Sequence, residues 1–595
     1  MKKRFCLSFL LFATVWFGLD AQILAPSRVK KLNATFSSFP FGFTNYNGTL
    51  YFFATRDEIR KDNISLWKSD GSEDGTQIVK DNVGFITSGE LPQIQVLNNQ
   101  MFFLTADNSP DSLFLKLWKS DGTENGTGVL IQSGRDYSGG ANNATGELTP
   151  FNGKLYFNFY DASGGTEPFS TDGTVAGTQI LKDLQTGSTG FNGTPSYPHR
   201  FTVAGNQLYF WAIPFVDGFG LKVRLYKTDG TNANTLVVKE FGGGLSMITF
   251  LSHLVPFGNR IYFSAEDNPG SGFELWSSDG TTAGTNLVKE INPGTNNNGD
   301  GVSTIFQGQV FKNRLYFWAF DPATGHELWS TNGTPAGTNL LKNTHATTNP
   351  TLNKQAHNSQ PFFVFGGKMY YANNDGLKGR EPWVTDGTVA GTKLFKDFYT
   401  GTLGGIGIWN PGFSVFQGKM YLRAFDGSTV QICRADTLNQ TIEKFPVATG
   451  FFSAELPFDL QLANAERFVL HEFNGELYFP GGFHPTNGDP FALSHDFGKL
   501  APLPTEVNAL EGSSVFQVVP NPGQGLFRLQ AGSSQPSGQI SVLNGMGQLV
   551  WSGIFGVGQN QIEIDLRQQP AGMYWLSVKN SGQRQLLRLV KNDGL

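Results

Sequence analysis

The stretch Glu274-Leu275-Trp276-Ser277-Ser278-Asp279-Gly280-Thr281-Thr282-Ala283-Gly284-Thr285 occurs, with variations, seven times. Its relatives begin at Leu66, Leu117, Glu167, Leu225, Glu327 and Glu381. The glycine after the acidic residue is Gly71, Gly122, Gly173, Gly230, Gly280, Gly333 and Gly387, so the spacings are 51, 51, 57, 50, 53 and 54 residues. A period near fifty marks one supersecondary unit copied along the chain. A second phrase, Asn152-Gly153-Lys154-Leu155-Tyr156-Phe157, marks the same units. Its copies end at Phe52, Phe103, Phe157, Phe210, Phe263, Phe317, Tyr371, Leu422 and Phe479, which makes nine units. In the last two, Gln431–Asp436 and Pro490–Ser494 stand where the first phrase is expected.

Each unit reads as four short strands. An apolar stretch such as Phe362–Phe365 leads through a Gly turn to the Tyr-Phe strand. A polar loop, the Glu-Leu-Trp strand, the Asp-Gly-Thr turn and a strand such as Asn286–Glu290 follow. The segments are β-branched or aromatic and are bounded by Gly, Asn and Asp, and none has a long helical period. Four-stranded sheets repeated radially are propeller blades. The fold class predicted is therefore all-β: a β-propeller of about eight or nine four-stranded blades, followed by a small C-terminal β-sandwich. A curved open solenoid is the alternative.

Composition fits this reading. Of 595 residues, 73 are Gly and 53 Phe, and only 16% are charged, as suits turn-rich, aromatic-packed β structure. The net charge of −5 is spread along the chain with no basic stripe, so nucleic acid is not an expected partner. Catalytic signatures are missing too. His326-Glu327 and His471-Glu472 lack the second His of a zinc protease motif, and no Gly-x-Ser-x-Gly elbow or phosphate loop occurs. A non-enzymatic role is expected.

The ends differ from the repeats. Lys2, Lys3 and Arg4 precede an apolar run from Phe5 to Leu19, with Ala21 before the expected cut. Residues 1–21 read as a secretory signal peptide, too short and wrongly flanked for a membrane span, and no transmembrane segment is expected in the mature chain. After cleavage only Cys433 remains, so no intramolecular disulfide is expected. Residues 22–500 hold the repeats, 501–514 a Pro-rich linker, and 515–595 a separate domain. In the last, alternating apolar positions and turns every ten or so residues suggest the small sandwich.

That tail resembles the C-terminal sorting domain of the type IX secretion system of Bacteroidetes. The resemblance rests on Pro520, Asn521 and Pro522, on an Asn-Gly-x-Gly turn with Gly545 and Gly547, on Ala-Gly-x-Tyr with Gly572 and Tyr574, and on a basic, apolar finish at Lys591. It implies export to the periplasm by the signal peptide, then passage across the outer membrane through the type IX machinery. The product is secreted or held on the surface. The repeats resemble the Glu-Leu-Trp-x-x-Asp-Gly-Thr repeat family of secreted bacterial proteins, a resemblance that implies little about activity.

Two acidic sets are candidate sites. The Asp-Gly-Thr turns carry Asp70, Asp121, Asp172, Asp229, Asp279 and Asp386, with Asn332 in the sixth unit. Asp and Asn in turns accept bonds from nearby backbone N–H groups, so a structural hairpin is expected. The turn is similar to the Asp-box of sialidase-like propellers, itself structural. The second set follows the Tyr-Phe strand: Asp57, Asp107, Asp161, Asp267, Asp321, Asp375 and Asp426. In an up-and-down blade this loop lies at the end opposite the hairpin. A carboxylate ring there would suit Ca²⁺ or a cationic or hydroxyl-rich ligand. Loop capping is the plainer reading, and no calcium-loop motif or other cofactor signature accompanies the ring. A glycan- or protein-binding adhesion module is expected. A carbohydrate-active hydrolase or lyase and a passive surface scaffold are the alternatives.

Overall fold

Asn152 and Gly153 have φ of 45° and 74°. A type I′ hairpin turn needs two consecutive left-handed residues of this kind. The turn sets Phe151 opposite Lys154 and Thr149 opposite Tyr156. Strand Lys154–Asp161 then pairs antiparallel with Gly165–Thr171, Phe157 opposite Phe169, and Gly165–Thr171 pairs with Gln179–Ile180. The order is inner strand, second, third, outer, each hydrogen-bonded to the next along the chain.

The computed structural model describes residues 24–30, 32, 38, 40–55, 64–84, 92–109, 112–133, 147–161, 165–184, 196–213, 223–242, 253–267, 273–292, 308–345, 362–400, 404, 406, 412–425, 430–436, 441–444, 470–483, 494–502, 516–519, 524–531, 538–544, 549–556, 559, 561–569, 572–580 and 583–591. All its regular elements are strands, as expected of an all-β chain. The chain falls into two compact units, Pro26–Leu500 and a second that contains Ala501–Leu595. Residues 1–21, expected to be a signal peptide, lie outside the described residues.

The first unit holds nine four-stranded sheets among the described residues. Sheets 1 to 8 follow the chain: 41–84, 95–132, 149–180, 199–241, 255–289, 309–342, 363–394 and 414–444. Each of the nine Tyr-Phe phrases lies in the second strand of its own sheet. Sheet 9 is composite. His471–Phe473, Glu476–Phe483 and Ser494–Pro502 supply three strands, and Leu24–Lys30 supplies the outer one. Its third strand corrects the sequence alignment at Pro490–Ser494: Gly498 stands opposite Phe479 as Trp276 stands opposite Phe263. The phrase has lost its Trp and Asp-Gly-Thr letters in this unit. Register, not residue identity, marks the equivalent position.

Neighbouring sheets bury their faces on each other. Every residue of Gly165–Thr171 and Gly325–Thr331 is buried, because a sheet covers each face of these central strands. Aromatic rings fill the gaps. Phe53 meets Phe103 at 5.1 Å, Trp211 meets Phe263 at 5.2 Å, and Trp318 meets Tyr371 at 5.6 Å, in each case from adjacent sheets. Each such ring, fully buried, contributes about 1.5–3 kcal/mol. Apolar clusters of this kind join sheets 1 through 8 in order. Ser414 Oγ donates to Leu470 O at 3.2 Å between sheet 8 and the start of sheet 9.

Sheet 9 in turn meets sheet 1. Phe497 stacks on Phe52 at 4.6 Å, within a cluster that includes Val29, Leu50, Trp67 and Tyr478. Asn45 Nδ2 donates to Glu472 O at 3.1 Å. Lys30 Nζ donates to Thr76 O at 2.7 Å, as Lys289 does to Thr338 O at 2.9 Å and Lys342 to Thr392 O at 2.6 Å. The strand from early in the chain thus makes the inter-sheet bond that the outer strands of sheets 5 and 6 make.

The second unit has two sheets, one of strands Phe516–Val519, Leu526–Ala531 and Gln561–Asp565, the other of Leu549–Phe555, Gly538–Asn544, Gly572–Asn580 and Gln583–Lys591. Phe527, Leu529 and Ile564 of the first share one core with Ile540, Val542, Leu576 and Leu589 of the second.

Candidate functional site

In the Asp-Gly-Thr hairpin every residue of the phrase has a partner. Asp279 Oδ1 accepts from Thr281 N at 2.9 Å and from Thr281 Oγ1 at 2.7 Å. Gly280 N donates to Ser278 Oγ at 3.0 Å, Ser278 Oγ meets Thr285 Oγ1 at 2.7 Å, and Thr285 Oγ1 donates to Thr281 O at 2.6 Å. The same bonds recur around Asp70, Asp121, Asp172 and Asp386. Asn332 Oδ1 reproduces them without the charge, at 3.1 Å to Thr334 N and 2.8 Å to its hydroxyl. The hydroxyl and backbone donors two residues on hold Asp70, Asp121, Asp172, Asp229, Asp279 and Asp386 below the usual carboxylate range.

Gly280 has φ +85°, and a Cβ there would strike the Tyr209 hydroxyl of the preceding sheet. Gly122 stands in the same relation to Tyr51, Gly333 to Tyr262, and Gly71 to Tyr478 of sheet 9. The Tyr of one phrase and the Gly of the next unit's turn therefore form one contact. A second glycine, Gly284, leaves room for the Asp279 carboxylate. In sheet 4 this position is Asn234, whose Nδ2 donates to Asp229 Oδ2 at 2.6 Å.

The second acidic set is described in part. Asp57 and Asp426 lie outside them. Asp107 lies within the second strand Gln100–Ser109, opposite Phe114, and Asp161 ends its second strand, opposite Gly165. Asp321 Oδ1 accepts from Ala323 N at 2.7 Å, and Asp375 Oδ1 from Leu377 N and Lys378 N at 2.9 and 2.8 Å. These two carboxylates cap their own loops. Asp267 pairs with Lys239 at 3.1 Å. No group of three or more His, Cys, Asp or Glu side chains suited to a metal ion occurs among the described residues.

The Glu of the Glu-Leu-Trp strand has a role the sequence did not reveal. Glu167, Glu274, Glu327 and Glu381 are all buried. Each accepts backbone N–H bonds from 17 or 18 residues later, where the outer strand leaves the sheet: Leu184 for Glu167, Ile291 and Asn292 for Glu274, Thr344 and His345 for Glu327, Phe398 and Tyr399 for Glu381. Burial pushes Glu167 up to about 8, against the opposing bonds from Ser196 and Leu184, and Glu274 up to about 7. Sheet 4 has Arg224 at this position, paired with Glu240 at 2.8 Å.

A polar cavity of about 290 Å³ lies where the inner strands of sheets 2 to 5 begin. This is the end at which second strands run into third strands, away from the Asp-Gly-Thr hairpins. Gln95, Glu147, Thr149, Arg200, Phe201 and His253 are among its lining residues. Arg200 Nη1 lies 3.3 Å from Glu147 Oε1. Burial lowers His253 to about 3 and the adjacent His199 to about 4, so both rings are neutral near pH 7. None of these residues was singled out from the sequence, which carries no repeat signal at them.

In the tail, Pro520, Asn521, Pro522, Gly545 and Gly547 lie outside the described residues. Gly572 stands opposite Lys591, and Tyr574 lies in the core opposite Leu589 and Asn544. Lys591 is buried, and its Nζ donates to Gln569 O. Residues 517–592 match the family described as Secretion system C-terminal sorting domain. The tail is a sorting domain. Such a domain indicates secretion, to the cell surface or beyond it, and interaction with secretion machinery.

No curated protein matches the chain. Among solved structures it is similar to a puromycin-hydrolyzing peptidase of Mycobacterium tuberculosis, at 11% identity, 76% coverage of this chain, 59% of that one and a TM-score of 0.35. It is similar to a puromycin hydrolase at 12% identity, 76% and 60% coverage and a TM-score of 0.34. It is also similar to the β-propeller domain of the Trilobed protease from Pyrococcus furiosus, at 11% identity, 61% and 98% coverage and a TM-score of 0.28. The chain spans about three fifths of the length of the two hydrolases. Likeness at this level carries no argument about activity. Among the described residues no helix is long and apolar enough to cross a membrane.

Proposed function

We propose that this chain is a secreted or surface-displayed binding and adhesion protein. Its repeat region, of the Glu-Leu-Trp-x-x-Asp-Gly-Thr type, is a nine-bladed propeller that binds a glycan or protein without catalysis. Its tail is a β-sandwich that the type IX secretion machinery recognises after a signal peptide has delivered the chain to the periplasm. The sorting-domain match over residues 517–592 carries the export half of this reading. The contacts of Tyr478 with Gly71 and of Phe497 with Phe52 support ring closure. The hydrogen bonds that engage the Asp-Gly-Thr aspartates support a structural role for the hairpins and leave ligand recognition to the opposite end. The test is a fusion of residues 515–595 to an unrelated reporter that carries its own signal peptide, expressed in a bacterium with a type IX system. The reporter is expected at the surface or in the medium. A reporter retained in the periplasm would contradict the sorting role.

A further inference from the structure

We propose that the cavity at the start of the inner strands of sheets 2 to 5 is a subsite for a neutral, hydroxyl-rich ligand, a single sugar residue or the end of a glycan chain. This rests on the binding-module reading above and gives it a place and a ligand class.

The backbone is the first observation. The inner strand of sheet 4 skips register between His199 and Thr202, and that of sheet 1 skips between Phe41 and Thr44. In each, a threonine hydroxyl donates to the carbonyl two residues back: Thr202 to Arg200 O at 3.1 Å, Thr44 to Gly42 O at 3.4 Å. The bulges are equivalent. Gly42 takes φ +67° in one, and Arg200 takes φ 58° in the other. A long side chain in the left-handed region is strained, and such strain persists where the surrounding structure enforces it and the side chain has a use. Sheet 1 shows that glycine makes the same bulge. What Arg200 adds is a guanidinium in the cavity, beside Glu147 at the start of the preceding sheet.

Charge is the second observation. Arg200 and Glu147 cancel, and His253 carries no charge near pH 7. An anion drawn to Arg200 meets the Glu147 carboxylate, and a cation drawn to Glu147 meets the guanidinium. A hydroxyl group suits both, since it accepts from one and donates to the other, and the Gln95 amide offers both functions as well. Charge-assisted hydrogen bonds of this kind are the stronger ones. Size is the third. The cavity of about 290 Å³ sits at the lower edge of small-molecule sites, roughly 300–1,000 Å³, and takes one ring rather than a long segment.

The experiment is saturation-transfer NMR on the purified full chain with free neutral hexoses, N-acetylhexosamines and uronic acids, run beside an array of extracellular proteins. Arg200→Gly and Glu147→Gln are compared with the wild type. Neutral sugars are expected to bind, and each variant to lose affinity by about tenfold or more, as the removal of a charge-assisted bond does. Arg200→Gly is expected to melt no lower than the wild type, because glycine takes this φ without strain. Should it fail to fold, the near-isosteric Glu147→Gln carries the test. Unchanged affinity in the variants would overturn the subsite and leave the binding reading standing. Preference for uronic acids would overturn the neutral ligand class. No sugar bound by the wild type would overturn the subsite, and no protein bound either would bring down the binding reading with it.

Discussion

At the scale of single residues, the repeat phrase is a set of mutual requirements. Asp279 satisfies two donors of Thr281, and Gly280 is required both by its φ of +85° and by the Tyr209 hydroxyl. Asp279→Ala is expected to cost about 0.5–2 kcal/mol in chemical denaturation, as the loss of a helix cap does. Gly280→Ala should cost about 1–3 kcal/mol, since it adds backbone strain to a collision. Asp279→Asn should cost little, because Asn332 makes the same bonds in sheet 6. The buried glutamates predict a pH dependence. Glu167 and Glu274 sit well above the ordinary carboxyl value, so the folded chain holds protons that the unfolded chain releases. Their contribution is full below the unfolded value and is lost as pH rises through about 7 to 8. The turn aspartates act in the opposite sense: their contribution is lost as pH falls through their depressed values. Melting midpoints measured across this range should fall on the alkaline side, with a shallower slope in Glu274→Gln. An equal slope in wild type and variant would refute the assignment.

At the scale of elements, strand order and hairpins were legible because they are local. Asn-Gly announces a type I′ turn, and the Trp strand and Asp-Gly-Thr turn lie within a dozen residues of each other. The outer strand of sheet 9 was not legible. Leu24–Lys30 pairs with Ser494–Pro502 across nearly the whole repeat region, and no repeat phrase marks it. The buried Glu was visible as a letter of the motif, but its partners stand 17 and 18 residues away in a segment without a motif of its own. The acidic set was legible as a pattern, yet Asp321 and Asp375 turn back onto their own loops. Short polar loops use carboxylates this way. The cavity residues fall outside both phrases, and only the comparison of Arg200 with Gly42 sets them apart. Removal of Leu24–Lys30 should leave Ser494–Pro502 as an open edge and take Lys30 from Thr76. A lower melting midpoint and self-association in sedimentation are expected. An unchanged midpoint would show that this strand does not secure the fold.

At the scale of the whole molecule, the division of labour follows the two compact units. Pro26–Leu500 has its own succession of inter-sheet cores, and the tail has a core of its own around Phe527, Ile540 and Leu576. An element that serves as an export address needs no part in the packing of its cargo. The tail's identity was readable from a handful of turn and aromatic positions, and the family match over 517–592 bears it out. The proposed subsite was not readable, because its lining side chains come from separate sheets. The most direct measurement is fractionation of a native host that expresses the chain with and without Val515–Leu595. The full chain is expected at the surface or in the medium, and the shortened one folded and soluble in the periplasm. Normal amounts of the shortened chain outside the cell would contradict the account.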